Sequence, residues 1–112
     1  MAQIVSFYDD LQYEDQNKPA IKVMVKTSTA KEIRLTFRKG QEMKEHKAPF
    51  PIIIQVLEGA IDLGAENERT LLKRGMMIVL DSHVSHDLIA EQDSIVRLSL
   101  NLQDTTERVA TV

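Results

Sequence analysis

A chain of 112 residues carrying 17 acidic and 14 basic side chains is the length of one domain, and it is long enough to bury a core without staples. It contains no cysteine, which excludes disulfides and thiolate metal sites, and it has no P-loop or GxGxxG cradle. The basic residues are scattered, and three phenylalanines and two tyrosines without a tryptophan offer no stacking platform, so nucleic acid is not an expected partner.

In chain order, the apolar runs are short, rich in Val, Ile and Leu, and separated by polar turns, the pattern of a β-sandwich or barrel. Gln3–Phe7 reads as a first strand. The N-terminal run has neither the basic segment nor the apolar stretch of a signal peptide, and no run approaches the roughly 18 apolar residues that span a bilayer. A cytoplasmic protein away from membranes is therefore expected. Asp9 to Lys18 is polar and weakly patterned, and reads as a connecting loop.

Further strands are expected at Ile21–Lys26, Lys31–Arg38, Ile52–Glu58, Ala60–Leu63, Thr70–Lys73, Met76–Leu80, Ser85–Ala90 and Ser94–Leu102. Ile33, Leu35 and Phe37 alternate with Arg34, Thr36 and Arg38. Val96, Leu98, Leu100 and Leu102 alternate in the same way with polar neighbours, as half-buried antiparallel strands do. Ile52-Ile53-Ile54 and Met76 to Leu80 are apolar on both faces, so each is expected to be covered by the barrel interior and by a second layer or subunit. Pro49 and Pro51 mark a break in the ladder before Ile52. Gly64–Glu68 reads as a hairpin tip and Lys73-Arg74-Gly75 as a tight turn. The segments Glu42–Lys47 and Glu66–Arg74 read as solvated faces. The tail Gln103–Val112 has no periodic apolar face and is expected to be either frayed or tied down by neighbours.

All three histidines lie in two segments, GQEMKEHKAPFPIIIQVLEG (40–59) and GMMIVLDSHVSH (75–86), with the second motif extending to about residue 90. Gly40, His46 and Gly59 fall on G-x5-H-x-H-x3,4-E-x6-G, and Gly75 and His86 fall on G-x5-P-x-G-x2-H-x3-N. On these anchors the chain resembles the cupin superfamily, in its small conserved-barrel type. The resemblance implies an all-β, antiparallel double-stranded β-helix or jelly-roll barrel over residues 1–112. It also implies a divalent metal (Zn, Fe, Mn or Ni) held by three histidines and a glutamate. Here Ala48 stands at the second histidine position and Ile52 at the glutamate. Asp81, His83 and Ala90 replace the proline, glycine and asparagine of the second motif. His46 and His86 remain as family-type ligands.

Two replacement ligands are conceivable. Glu42 shares strand parity with His46 if the strand is unbroken, and a turn could swing His83 inward. His83 equally suits a positive-φ turn position, where histidine is enriched. Two neutral buried histidines bonded to backbone or water are the alternative to a metal. Met43, Ala48, Ile52 and Ile54 are expected to line the interior, either as ligand pocket or as plain core. Asp81 and Asp87 could orient an imidazole or serve as turn and capping residues. The expected function is binding of a small molecule, a divalent metal, or both, inside the barrel. The alternative is a metal-dependent enzyme, dioxygenase- or isomerase-like, with a reduced ligand set. The resemblance and the prevalence of two-fold assemblies lead us to expect a homodimer, through sheet faces or strand exchange at the N-terminus.

Overall fold

Nine strands form two antiparallel sheets packed face to face in the computed structural model, which describes residues 2–112; Met1 of the expected 1–112 domain lies outside them. The strands are β1 (Ala20–Lys26), β2 (Ala30–Phe37), β3 (Glu42–His46), β4 (Ile52–Glu58), β5 (Ala60–Ala65), β6 (Glu68–Lys73), β7 (Met77–Leu80), β8 (His86–Ala90) and β9 (Ser94–Asn101), followed by a short helix α1 (Thr106–Ala110). One sheet has the order β1-β2-β9-β4-β7 and the other β3-β8-β5-β6.

The alternation read from the sequence sets the register. Ile33 lies opposite Leu98 and Leu35 opposite Val96, so one row of each strand turns inward and the next row outward. Ile33, Leu35, Phe37, Val56, Ile61, Leu63, Val96 and Leu100 are almost completely buried. At the end of the β5–β6 hairpin, Ala65 pairs with Glu68. The two residues between them, Glu66 and Asn67, both take positive φ, 53° and 64°, the geometry that a two-residue hairpin turn demands.

The outward-facing row of β2 holds a buried charge. Arg34 is 2% exposed, and its guanidinium donates to the carbonyls of Phe7, Asp9 and Asp10 at 3.5, 2.6 and 3.2 Å. Thr36 donates to the carbonyl of Gln12, and Gln41 Nε2 donates to those of Glu14 and Gln16 at 2.8 and 2.7 Å. The irregular segment up to Lys18 is thus laid across the outside of the five-stranded sheet. A buried cation is tolerable only when its donors are met, and here loop carbonyls meet them.

Several expectations are corrected. Gln3–Phe7 belongs to no sheet, and Ile4 is 94% exposed. The strand expected to carry Glu42 and His46 is β3, pairing with β8; Lys44 and Glu45 are exposed as expected of a solvated face, but Met43 is buried. Of the two covers expected over Met76–Leu80, a second layer is absent among the described residues: β7 ends its sheet, and Met77 and Val79 are 51% and 59% exposed. The tail is tied down, the second of its two expected states. Thr105 caps α1 by accepting from the Arg108 N–H, and Val109 is buried in the core. Among the described residues no helix is long and apolar enough to cross a membrane.

Candidate functional site

β3 and β8 are neighbours in the four-stranded sheet, and His46 and His86 are register partners across them. Their rings meet edge to face with centroids 4.2 Å apart. His86 is fully buried and His46 half-buried. A register shift between Met43 and His46 makes this arrangement possible. Met43 lies opposite Leu88 and points inward. The bulge at the next two residues then restores the inward direction at His46.

That bulge corrects the parity expected for Glu42. With Met43 facing in, Glu42 pairs with Ile89 and faces out, away from the imidazoles. His83 is exposed, with φ of 67°, and its backbone N–H donates to the Ala48 carbonyl. It fills the turn position and does not reach the interior. Asp87 reaches Arg69 at 2.8 Å, outside the barrel, and Asp81 is exposed.

The imidazole tautomers follow from their partners. His46 Nδ1 lies 2.6 Å from the Lys44 carbonyl, and His86 Nδ1 lies 2.8 Å from the Val84 carbonyl. A carbonyl only accepts, so each Nδ1 carries the proton and each neutral ring presents an unprotonated Nε2. His86 Nε2 is buried without a hydrogen-bond partner. Burial holds the His46 pKa down to about 4 and also lowers that of His86, while the carbonyl bonds oppose the shift in both rings. At neutral pH the site is therefore a pair of uncharged acceptors.

Around the rings lies a hollow of about 10 Å³, lined by Leu35, Met43, Ile52, Ile54, Leu88 and Leu98 and closed by Arg108 and Val109 of α1. This is space for about one water molecule. Of the expected lining residues, Met43, Ile52 and Ile54 border it, while Ala48 is buried in the core without bordering it. Arg108 and Val109 were not anticipated. The signal available for them was the i,i+4 spacing of Asp104 and Arg108 behind a threonine cap. Larger concave surfaces lie outside the barrel, such as a groove of about 440 Å³ between the β5–β6 turn and Ser85–Asp87. It carries Glu45, Glu66, Glu68 and Asp87, with Arg69 committed to ion pairs.

A divalent ion fits this donor set poorly. The two free Nε2 atoms suit a metal, but such ions ordinarily take three or more protein ligands. No group of three His, Cys, Asp or Glu side chains able to hold an ion together occurs among the described residues. Ala48 and Ile52 supply no donor, and the cationic Arg108 borders the hollow.

No protein-family model matches the sequence, and no curated protein matches it. Solved structures are similar over nearly the whole chain. An RmlC-like cupin protein from Desulfovibrio desulfuricans superposes with a TM-score of 0.78 at 19% identity, covering 90% of this chain and 97% of that one. KdgF from Halomonas sp. gives 0.74 at 22% identity, covering 88% and 92%. A protein with a double-stranded β-helix domain from Klebsiella pneumoniae gives 0.76 at 17% identity, covering 90% of each chain. The fold is that of the RmlC-like cupins, the double-stranded β-helix.

Proposed function

We propose that this cupin-fold barrel binds a small molecule at its histidine-lined end, with His46 and His86 accepting hydrogen bonds from the occupant. The observation that supports this reading is the buried Nε2 of His86, which has no partner. An unmet buried acceptor costs about 1–3 kcal/mol, and a donating O–H or N–H of an occupant would recover it. The remaining wall is apolar, the usual make-up of a ligand site in which a few polar groups fix orientation. Anything larger than a water enters by displacing Val109 and the helix that carries it.

The test is a thermal-shift screen of metabolites in the presence of EDTA, on the wild type and on His86→Leu. Hydrogen-bond donors that raise the melting temperature of the wild type but not of the variant support the reading. A silent screen, with a clear shift from a metal ion alone, overturns it.

A second reading, a metal-dependent enzyme of reduced ligand set, draws support from one observation. Both Nε2 atoms are unprotonated and need no proton displaced before they ligate. Elemental analysis of protein purified without nickel resin separates the two readings. Stoichiometric Zn, Fe, Mn or Ni that disappears when His46 and His86 are replaced supports the enzyme. Metal content unchanged by those replacements excludes it.

We also propose that the protein works as a homodimer, on the strength of the uncovered apolar side chains of β7.

A further inference from the structure

Two irregular segments cover this barrel, and they are fastened in opposite ways. The N-terminal one supplies the Phe7, Asp9 and Asp10 carbonyls that satisfy Arg34, a buried cation of β2. Lifting it would leave that charge in the sheet without acceptors, which is strongly unfavourable. The buried charge of the C-terminal segment, residues 104–112, is Asp104. Among the described residues, every hydrogen-bond partner of that carboxylate lies in the same segment: Arg108 Nε at 2.7 Å, Arg108 Nη2 at 2.9 Å and the Thr105 N–H at 2.8 Å. Detaching this segment strands no charge in the barrel.

Its polar fastenings to the rest of the chain are slight. Lys31 Nζ donates to the Asp104 carbonyl, the Asp104 N–H donates to the Asn101 carbonyl at 3.0 Å, and Arg108 Nη1 makes one long contact, 3.4 Å, with the Lys47 carbonyl. Water can replace such bonds at little net cost. What holds the segment down is apolar. Val109 is buried in the core, and Val112 packs partly against it. The five-residue helix that places Val109 is too short to persist away from the barrel. Leu102 and Gln103, both exposed, join the segment to β9. Burial of one valine and part of another leaves an open minority on the order of 1%.

We propose that residues 104–112 are a lid over the histidine pair, hinged at Leu102-Gln103, which opens by withdrawing Arg108 and Val109 from the border of the hollow. Opening joins the hollow to solvent and uncovers the Nε2 of His86, which is buried when the lid is closed. The use of the lid, admitting a ligand, rests on the small-molecule reading given above. Its movement needs no ligand and is measured without one.

Diethyl pyrocarbonate acylates an accessible, unprotonated imidazole nitrogen, and it is far larger than the single water for which the closed hollow has room. Its rate of attack on His86 in the full chain, read by peptide mass spectrometry at pH 7.5, reports opening. Val109→Ala removes two buried carbons from the lid and should raise that rate about tenfold. Thr105→Ala removes the helix cap but leaves Val109 in place, and should raise it about fivefold. Val56→Ala truncates a fully buried residue that does not border the hollow, so it should weaken the fold without speeding the reaction. Exposed His83 should react alike in all four proteins. A wild-type rate at His86 in either lid variant overturns the proposal. So does an acceleration in Val56→Ala equal to that in Val109→Ala, because the ring would then be reached only by global unfolding. A moving lid beside a silent metabolite screen keeps the lid and removes the small-molecule reading; a fixed lid beside a responsive screen does the reverse.

Discussion

His46 and His86 face each other across one antiparallel strand pair, with ring centroids 4.2 Å apart and each Nδ1–H turned back onto the carbonyl two residues before it. The two histidines are 40 residues apart in the chain and are joined by the pairing of β3 with β8. A strand pair that ends in two imidazoles with both Nδ1 protons spoken for leaves both Nε2 atoms as bases.

The first consequence is a dependence of stability on pH. The folded protein holds the His46 pKa at about 4 and lowers that of His86, whereas both titrate near 6.5 when unfolded. Between these limits the unfolded chain binds protons that the folded chain refuses, so stability rises with pH across the window and is lost as the solution is acidified through it. For half-buried His46 the upper bound is about 3 kcal/mol, reduced by solvent screening. Urea midpoints at pH 7.5 and pH 5 measure it. The wild type is expected to weaken at pH 5, and a His46→Gln/His86→Gln variant to weaken less. Equal midpoints for the wild type at the two pH values would contradict the assignment of neutral buried rings.

Much of the barrel was legible in the sequence, because alternation in segments such as Ile33–Phe37 and Val96–Leu100 records which side of a strand meets the core. That His46 and His86 would face one interior was implied by the resemblance of their motifs to those of the cupins. What escaped notice has physical reasons. Strand β3 is written EMKEH, and only Met43 and His46 face inward, so its charges hid which residues line the core. The bulge between those residues reversed the parity on which Glu42 depended. Gln3–Phe7 is apolar like a strand but pairs with no sheet, which no local pattern reports. Helix α1 is held by the Asp104–Arg108 pair and by Val109, contacts that exist only once the barrel is closed.

Two glycines with the same backbone conformation should respond differently to alanine. Gly59 and Gly75 both have φ of 87°. A Cβ on Gly59 would come within 2.2 Å of Ser94 Oγ and 2.4 Å of the Asp93 carbonyl, whereas one on Gly75 meets nothing within 4 Å. Gly75→Ala is expected to cost about 1–2 kcal/mol from the left-handed backbone alone. Gly59→Ala adds an overpacking cost of about 1–3 kcal/mol. Urea unfolding of the two variants checks the order, and equal losses would contradict the close approach of Ser94.

The dimer proposal has its own readout. Val79 pairs with Ile53 and Met77 with Gln55 on the outer side of the five-stranded sheet, at its free edge. Edges of this kind invite pairing with another chain unless charges guard them. Light scattering at micromolar concentration is expected to give twice the 12.7 kDa chain mass. Met77→Lys/Val79→Asp should return it to one. A wild-type mass of 12.7 kDa would contradict the proposal.

The claim on which the functional reading turns is that two uncharged rings bordering the barrel interior carry bare Nε2 atoms. Ring-nitrogen chemical shifts of ¹⁵N-histidine-labelled protein at pH 7 measure this directly. The account predicts that His46 and His86 each show a protonated Nδ1 and an unprotonated Nε2. A proton on Nε2 of either ring, or a positively charged ring at that pH, would contradict it.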